Sequence, residues 1–200
     1  MRLRSIDNVL VDNCYVQYCL RGIRIQDCST LGRVANCRVF RTLEAAFYLA
    51  SGSYTGSAGC NNFVISNCSA QEIFHNGYLV IGGKQNSIIG CTGSDLCSSA
   101  VVGWNTQDLT LTGCSFSRVV LKTYIGIGKL GDSYGAVYHS NKDDIADTGG
   151  YMLTAVNNSF IDVGVGRASD SYTFYFGDSN TSPVSFRVII DGNHSTANED

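Results

Sequence analysis

One frame recurs down this chain and leaves its fold little freedom. In Val9-Leu10-Val11-Asp12-Asn13-Cys14-Tyr15-Val16, apolar residues alternate with others, an Asn-Cys pair follows, and an apolar residue returns two beyond the cysteine. The frame reappears around Cys37, Cys68, Cys91 and Cys114, and then with Asn158 and Asn193 in the cysteine slot. Cys14 to Cys37, Cys68 to Cys91 and Cys91 to Cys114 are each a step of 23 residues. A fixed period in the twenties marks a solenoid, in which each repeat buries its apolar face only against its neighbours.

Each slot of the frame carries a structural expectation. The residue before the slot is Asn13, Asn36, Asn67, Gly90, Gly113, Asn157 and Gly192 in turn. Asn and Gly enter the left-handed backbone region at least cost, so a one-residue corner belongs there. Three before the slot stand Val11, Val34, Ile65, Ile88, Leu111, Ala155 and Ile190; two after it stand Val16, Val39, Ala70, Gly93, Phe116 and Phe160. Side chains alternate at period two along a strand, so these columns face inward on both sides of the corner. Cysteine then points into the core as a small buried hydrophobe. Surplus length falls in Ser51 to Gly59, which is rich in Gly and Ser, and in the longer sections 115–158 and 159–193. The expectation is one all-β domain over 1–194 with roughly six coils, flank loops near 50–59 and 118–150, and a polar tail at 195–200.

Composition narrows the function classes. A net charge of −3 with only 14 Lys and Arg spread thinly argues against a nucleic-acid surface, which needs clustered cations. No run of about 18 apolar residues offers a membrane span. The nine cysteines are odd in number, and five of them would stack in parallel along the axis, a poor geometry for disulfides. No CxxC pair or Cys/His cluster has zinc spacing, so free thiols, no metal and no cofactor are expected. Free thiols imply folding in a reducing compartment.

With these repeats, the chain resembles a right-handed parallel β-helix of the pectate-lyase-like superfamily, single-stranded, and within it most resembles bacteriophage tailspike and tail-fibre proteins. The resemblance rests on the Asn/Gly corner followed by inward Cys over nearly the whole length. The sequence departs from pectate lyases, having one proline, Pro183, and no comparable arginine cluster. The resemblance implies a homotrimeric protein, or part of a longer tail protein, assembled in the bacterial cytoplasm and carried on the virion. It also implies a bacterial surface polysaccharide, capsule or O-antigen, as the partner that is bound and often cleaved. No catalytic residue carries over by motif.

Candidate site residues therefore come from chemistry. Four after the slot stand Tyr18, Arg41, Glu72, Asp95 and Arg118. Glu72 and Asp95 are one period apart, and two carboxyls about 5 Å apart suit retaining glycoside hydrolysis; the alternative is a salt-bridge ladder with Arg41 and Arg118. Glu44 and His75 share a further slot and could assist as acid and base. Tyr48, Tyr54, Tyr78, Trp104, Tyr134 and Tyr138 fall on or beside the third strand of successive coils, where sugars could stack. The expected groove runs beside Glu72 and Asp95, roofed by Tyr54 and floored by Trp104 or Tyr78, with Tyr138, Arg41 and Arg118 as further binders. Asp143 and Asp144 are reserve carboxylates. Binding without catalysis, a purely structural module, a polysaccharide lyase and a carbohydrate esterase built on Gly131-Asp132-Ser133 with Asp191 and His194 are the other readings; GxGxxG at Gly126 to Gly131 lacks the helix a phosphate site needs.

Overall fold

The computed structural model describes residues 1–27, 31–50, 59–120, 135–141, 151–164, 172–178 and 186–196. Every regular element among them is a strand. The first coil holds β1 (Arg2–Arg4), β2 (Val9–Asp12) and β3 (Tyr15–Cys19); the second β4 (Ile23–Gln26), β5 (Gly32–Ala35) and β6 (Arg38–Thr42); the third β7 (Phe47–Ala50), β8 (Phe63–Ser66) and β9 (Ser69–Ile73). Then come β10 (Tyr78–Ile81), β11 (Ser87–Ile89) and β12 (Thr92–Leu96), followed by β13 (Val101–Trp104), β14 (Leu109–Thr112) and β15 (Ser115–Val119). The last two coils hold β16 (Gly135–Asn141), β17 (Tyr151–Val156), β18 (Ser159–Val163), β19 (Tyr172–Asp178), β20 (Phe186–Asp191) and β21 (His194–Thr196).

Each third strand joins the same sheet, giving three parallel seven-stranded sheets stacked along one axis. The first sheet is β1-β4-β7-β10-β13-β16-β19, the second begins at β2 and the third at β3. The fold is a single-chain right-handed parallel β-helix. Seven Asn or Gly corners, from Asn13 to Gly192, one in each coil, all have φ between 51 and 61°, so the solenoid has seven coils where roughly six were expected. Ser195 and Thr196 pair with Phe160 and Ile161, so the solenoid runs two residues past the expected boundary at 194. The 50–59 loop and most of 118–150 lie outside the described residues, although β15 extends to Val119 and β16 occupies Gly135–Asn141.

The core is filled in register. Phe47 stacks on Tyr78 with ring centroids 4.9 Å apart, and Phe116 on Phe160 at 5.6 Å. The cysteine column does more than fill space. The Cys14 N–H points at Cys37 Sγ (3.4 Å), Cys37 N–H at Cys68 Sγ (3.4 Å), Cys68 N–H at Cys91 Sγ (3.5 Å) and Cys91 N–H at Cys114 Sγ (3.4 Å). The N–H of the residue after each corner thus finds an acceptor on the next rung. Past Cys114 the slot changes chemistry but not role: Cys114 N–H donates to Asn158 Oδ1 (2.9 Å), and Asn158 N–H to Asn193 Oδ1 (2.9 Å). All eight described cysteines are free thiols. Burial pushes Cys37 up to about 11. Cys91 rises to about 12, chiefly through its contact with Cys114, and that same contact lowers Cys114.

A second left-handed column was not anticipated. Tyr18, Arg41, Glu72, Asp95, Arg118 and Asp162 all have φ between 50 and 57°. These residues interrupt the pairing of the third sheet: Gln17 pairs with Phe40 and Cys19 with Thr42, while Tyr18 and Arg41 are skipped. Such a bulge bends the strand and turns its side chain outward. Large non-glycine residues pay about 1 kcal/mol or more to sit there. Because the bulge recurs in each of the first six coils, it belongs to the architecture.

Candidate functional site

The two left-handed columns bound a trough. Between the Asn/Gly corner and the bulge, the outward positions of the third sheet form its floor, one and three residues after the cysteine slot. A cavity of about 910 Å³ occupies this face, lined by Asn13, Asn36, Asn67 and Gly90 on the corner bank and by Tyr15, Arg38, Phe40, Ser69, Gln71 and Thr92 on the floor, with Cys14, Cys68 and Val39 beneath. It spans four rungs, a length of roughly 14 Å between the first and fourth at the parallel-strand spacing. The floor offers hydroxyls, amides and two aromatic side chains, and it carries one guanidinium.

The opposite bank is the charged column. Arg41 Nε donates to Glu72 Oε2 at 2.5 Å, and Arg118 reaches both oxygens of Asp95, Nε to Oδ1 at 2.6 Å and Nη2 to Oδ2 at 2.5 Å. The bank thus reads cation, anion, anion, cation along the axis. Glu72 and Asp95 occupy neighbouring rungs, about 4.8 Å apart at the backbone, and their side chains are 19% and 15% exposed. The bulge is what aims these side chains: at φ of 54 and 57° both leave the plane of the pleat together. Arg41 also lies 5.1 Å from the Phe40 ring and 6.0 Å from the Tyr18 ring, which ties the bank to the floor.

The other candidates sit elsewhere. Glu44 is ion-paired with Arg21 at the corner leading into the first sheet, outside the trough. In the same corner His75 Nδ1 lies 2.7 Å from Asn76 Nδ2. Tyr78 is fully buried, and its hydroxyl lies 2.9 Å from the Cys68 carbonyl and 2.8 Å from the Thr92 carbonyl. It is a core residue that props the inner side of the trough and cannot be its floor. Trp104 and Tyr138 lie on the outer face of the first sheet, a different sheet from the trough, so neither floors it. There Trp104 and Tyr138 pack against Tyr48, Ala50, Leu79, Ile81 and Val102, and Tyr138 stacks on Tyr175 at 5.3 Å. Tyr54, Tyr134, Asp143, Asp144, Gly126 to Gly131 and Ser133 lie outside the described residues.

The structure therefore unites Arg41, Glu72, Asp95 and Arg118 and replaces the expected aromatic floor with Tyr15, Arg38, Phe40, Ser69, Gln71 and Thr92. Those positions were available to the same arithmetic that placed the cysteines, since odd offsets from an inward residue face outward.

Comparison with known proteins supports the architecture. No known family matches the sequence, and no curated protein does. Among solved structures, the catalytic domain of a GH87 α-1,3-glucanase, determined in complex with tetrasaccharides, superimposes with a TM-score of 0.64 and 15% identity over 95% of this chain and 40% of that one. An alginate lyase from Paenibacillus sp. str. FPU-7 superimposes with a TM-score of 0.53 and 10% identity over 96% of this chain and 74% of that one. The chain spans less than half the length of that glucanase domain. At these identities the likeness establishes a shared parallel β-helix.

Proposed function

We propose that the protein binds an extended polysaccharide along the trough of the third sheet and cleaves it with Glu72 and Asp95. The observation that carries this reading is an elongated polar trough flanked, one position beyond its floor, by a column with two carboxylates on neighbouring rungs. Hydroxyl and amide side chains on successive rungs suit a repeating hydroxylated polymer, and Tyr15 and Phe40 supply faces for sugar rings. That both fold neighbours act on polysaccharides, as their names state, is in keeping with this.

A rung spacing near 4.8 Å sits close to the carboxyl separation of about 5–5.5 Å that serves retention. In that route one carboxyl protonates the glycosidic oxygen while the other attacks the anomeric carbon, and water then releases the glycosyl-enzyme with the first group acting as base. Arg41 and Arg118 pair with the two carboxylates from the rungs on either side. In its finer form the reading is a tailspike-like protein of a phage virion, homotrimeric or part of a longer tail protein, acting on a capsule or O-antigen; the resemblance of the repeat frame supports that form.

Binding without cleavage is the second reading, favoured by the ion pairs that already engage both carboxylates. The test is incubation with a panel of capsular and O-antigen polysaccharides, following reducing ends and the absorbance of unsaturated products. Glu72→Gln and Asp95→Asn should each abolish turnover while retaining binding and melting temperature. Full activity in both amide variants removes the pair from the chemistry, and no cleavage by the parent leaves the trough as a receptor-binding surface.

A further inference from the structure

One charge in the trough has no counter-charge. Arg38 is exposed on the floor, between Tyr15 on the preceding rung and Ser69 on the next. Its backbone N–H donates to the Cys14 carbonyl at 2.8 Å, but its guanidinium takes part in none of the ion pairs among the described residues. The other arginines of the third sheet, Arg41 and Arg118, are engaged by Glu72 and Asp95. Asp12, the carboxylate just before the Asn13 corner, accepts a hydrogen bond from the Asn36 amide at 2.9 Å. Arg38 thus stands among neutral donors and acceptors: the Asn67 amide, the Ser69 and Thr92 hydroxyls and the Gln71 amide.

We infer that the trough takes an acidic polysaccharide, with the carboxylate of a uronic-acid unit seated on the Arg38 guanidinium. This rests on the reading of the trough as a glycan site and names the class of glycan. Guanidinium presents a planar fork of donors that matches a carboxylate with two parallel hydrogen bonds. The chain as a whole is negative, at −3, so its overall field opposes an anionic polymer and the local cation must supply the preference. Arg38 lies one rung from Glu72 and two from Asp95, so the acidic unit sits beside the bond presented to them.

The probes are polygalacturonate and its carboxyl-reduced counterpart, which share a backbone and differ in charge, measured by affinity electrophoresis and calorimetry. The parent protein should bind the acidic polymer about tenfold more tightly, equivalent to ~1.4 kcal/mol, and added salt should erode the difference. Arg38→Gln should bring the affinity for the acidic polymer down to that of the same variant for the reduced polymer, with the melting temperature unchanged; Arg38→Lys should keep part of the discrimination. Equal affinity of the parent for both polymers, or discrimination that survives Arg38→Gln, overturns the inference and leaves the glycan reading standing. Binding of neither polymer also overturns the inference, and the wider reading falls with it only if the capsule and O-antigen panel fails as well.

Discussion

Replacing Cys91 by Ala tests the proposition that the thiol column is a backbone hydrogen-bonding device. Cys91 is fully buried, and its sulfur accepts the Cys68 N–H at 3.5 Å while lying 3.6 Å from the Ile65 carbonyl and 3.5 Å from the Ile89 carbonyl. Truncation leaves the Cys68 N–H without an acceptor inside a dry corner, a cost of ~1–3 kcal/mol. The withdrawn apolar burial adds ~1 kcal/mol. Cys14 offers the control, because it starts the column and its sulfur accepts no backbone N–H among the described residues, serving instead as a donor to the Asp12 carbonyl at 3.4 Å. For a chain of this size, a loss of ~3 kcal/mol lowers the melting temperature by roughly 6–12 °C. Scanning calorimetry and urea titration of both variants would measure it. If Cys14→Ala costs as much as Cys91→Ala, or Cys91→Ala falls within ~0.5 kcal/mol of the parent, the sulfurs are mere filler.

Two further outcomes follow from the same geometry. The raised thiols Cys37 and Cys91 hold their protons in the folded state after an unfolded chain has begun to lose them, so stability is complete below pH 9 and declines as pH rises toward about 11 to 12, which a urea midpoint series across that range would follow. Gly32→Ala should cost ~1–3 kcal/mol by overpacking, since a Cβ there would lie 1.8 Å from the buried Phe63 ring, whereas Gly113→Asn, at φ 61° with open space around it, should be nearly neutral on thermal melting.

Much of this architecture was legible because the repeat frame encodes it twice, in turn chemistry and in apolar parity. Asn13 and its equivalents announce a left-handed corner by type, and Val11, Val34 and Ile65 fix which way the second sheet faces. The bulge column announces nothing. Tyr18, Arg41, Glu72 and Asp95 have no common turn propensity, and their left-handed backbone is imposed by the stacking of one coil on the next. Parity also failed on the first sheet. Tyr48, Leu79 and Val102 on its outer face are as buried as Phe47, Tyr78 and Val101 on its inner face, so the alternation that would have sent Tyr78 inward was absent from the sequence. The trough floor was missed for the opposite reason: Ser69, Gln71 and Thr92 are unremarkable one at a time and gain meaning only as a column.

The change from sulfur to amide along the corner column divides the molecule by its vulnerability to oxidants. All nine cysteines lie at or before Cys114, so no sulfhydryl remains in the last two coils. There the backbone N–H and the side-chain Nδ2 of Asn158 both donate to Asn193 Oδ1, at 2.9 and 2.8 Å, tying one rung to the next twice with groups that peroxide does not touch. A sulfenic oxygen on Cys37, Cys68 or Cys91 would stand where the neighbouring N–H must approach, and the early coils would then part at the corner while the late ones held. Thiol oxidation in this solenoid is thereby confined to its first five coils, the first four of which carry the trough.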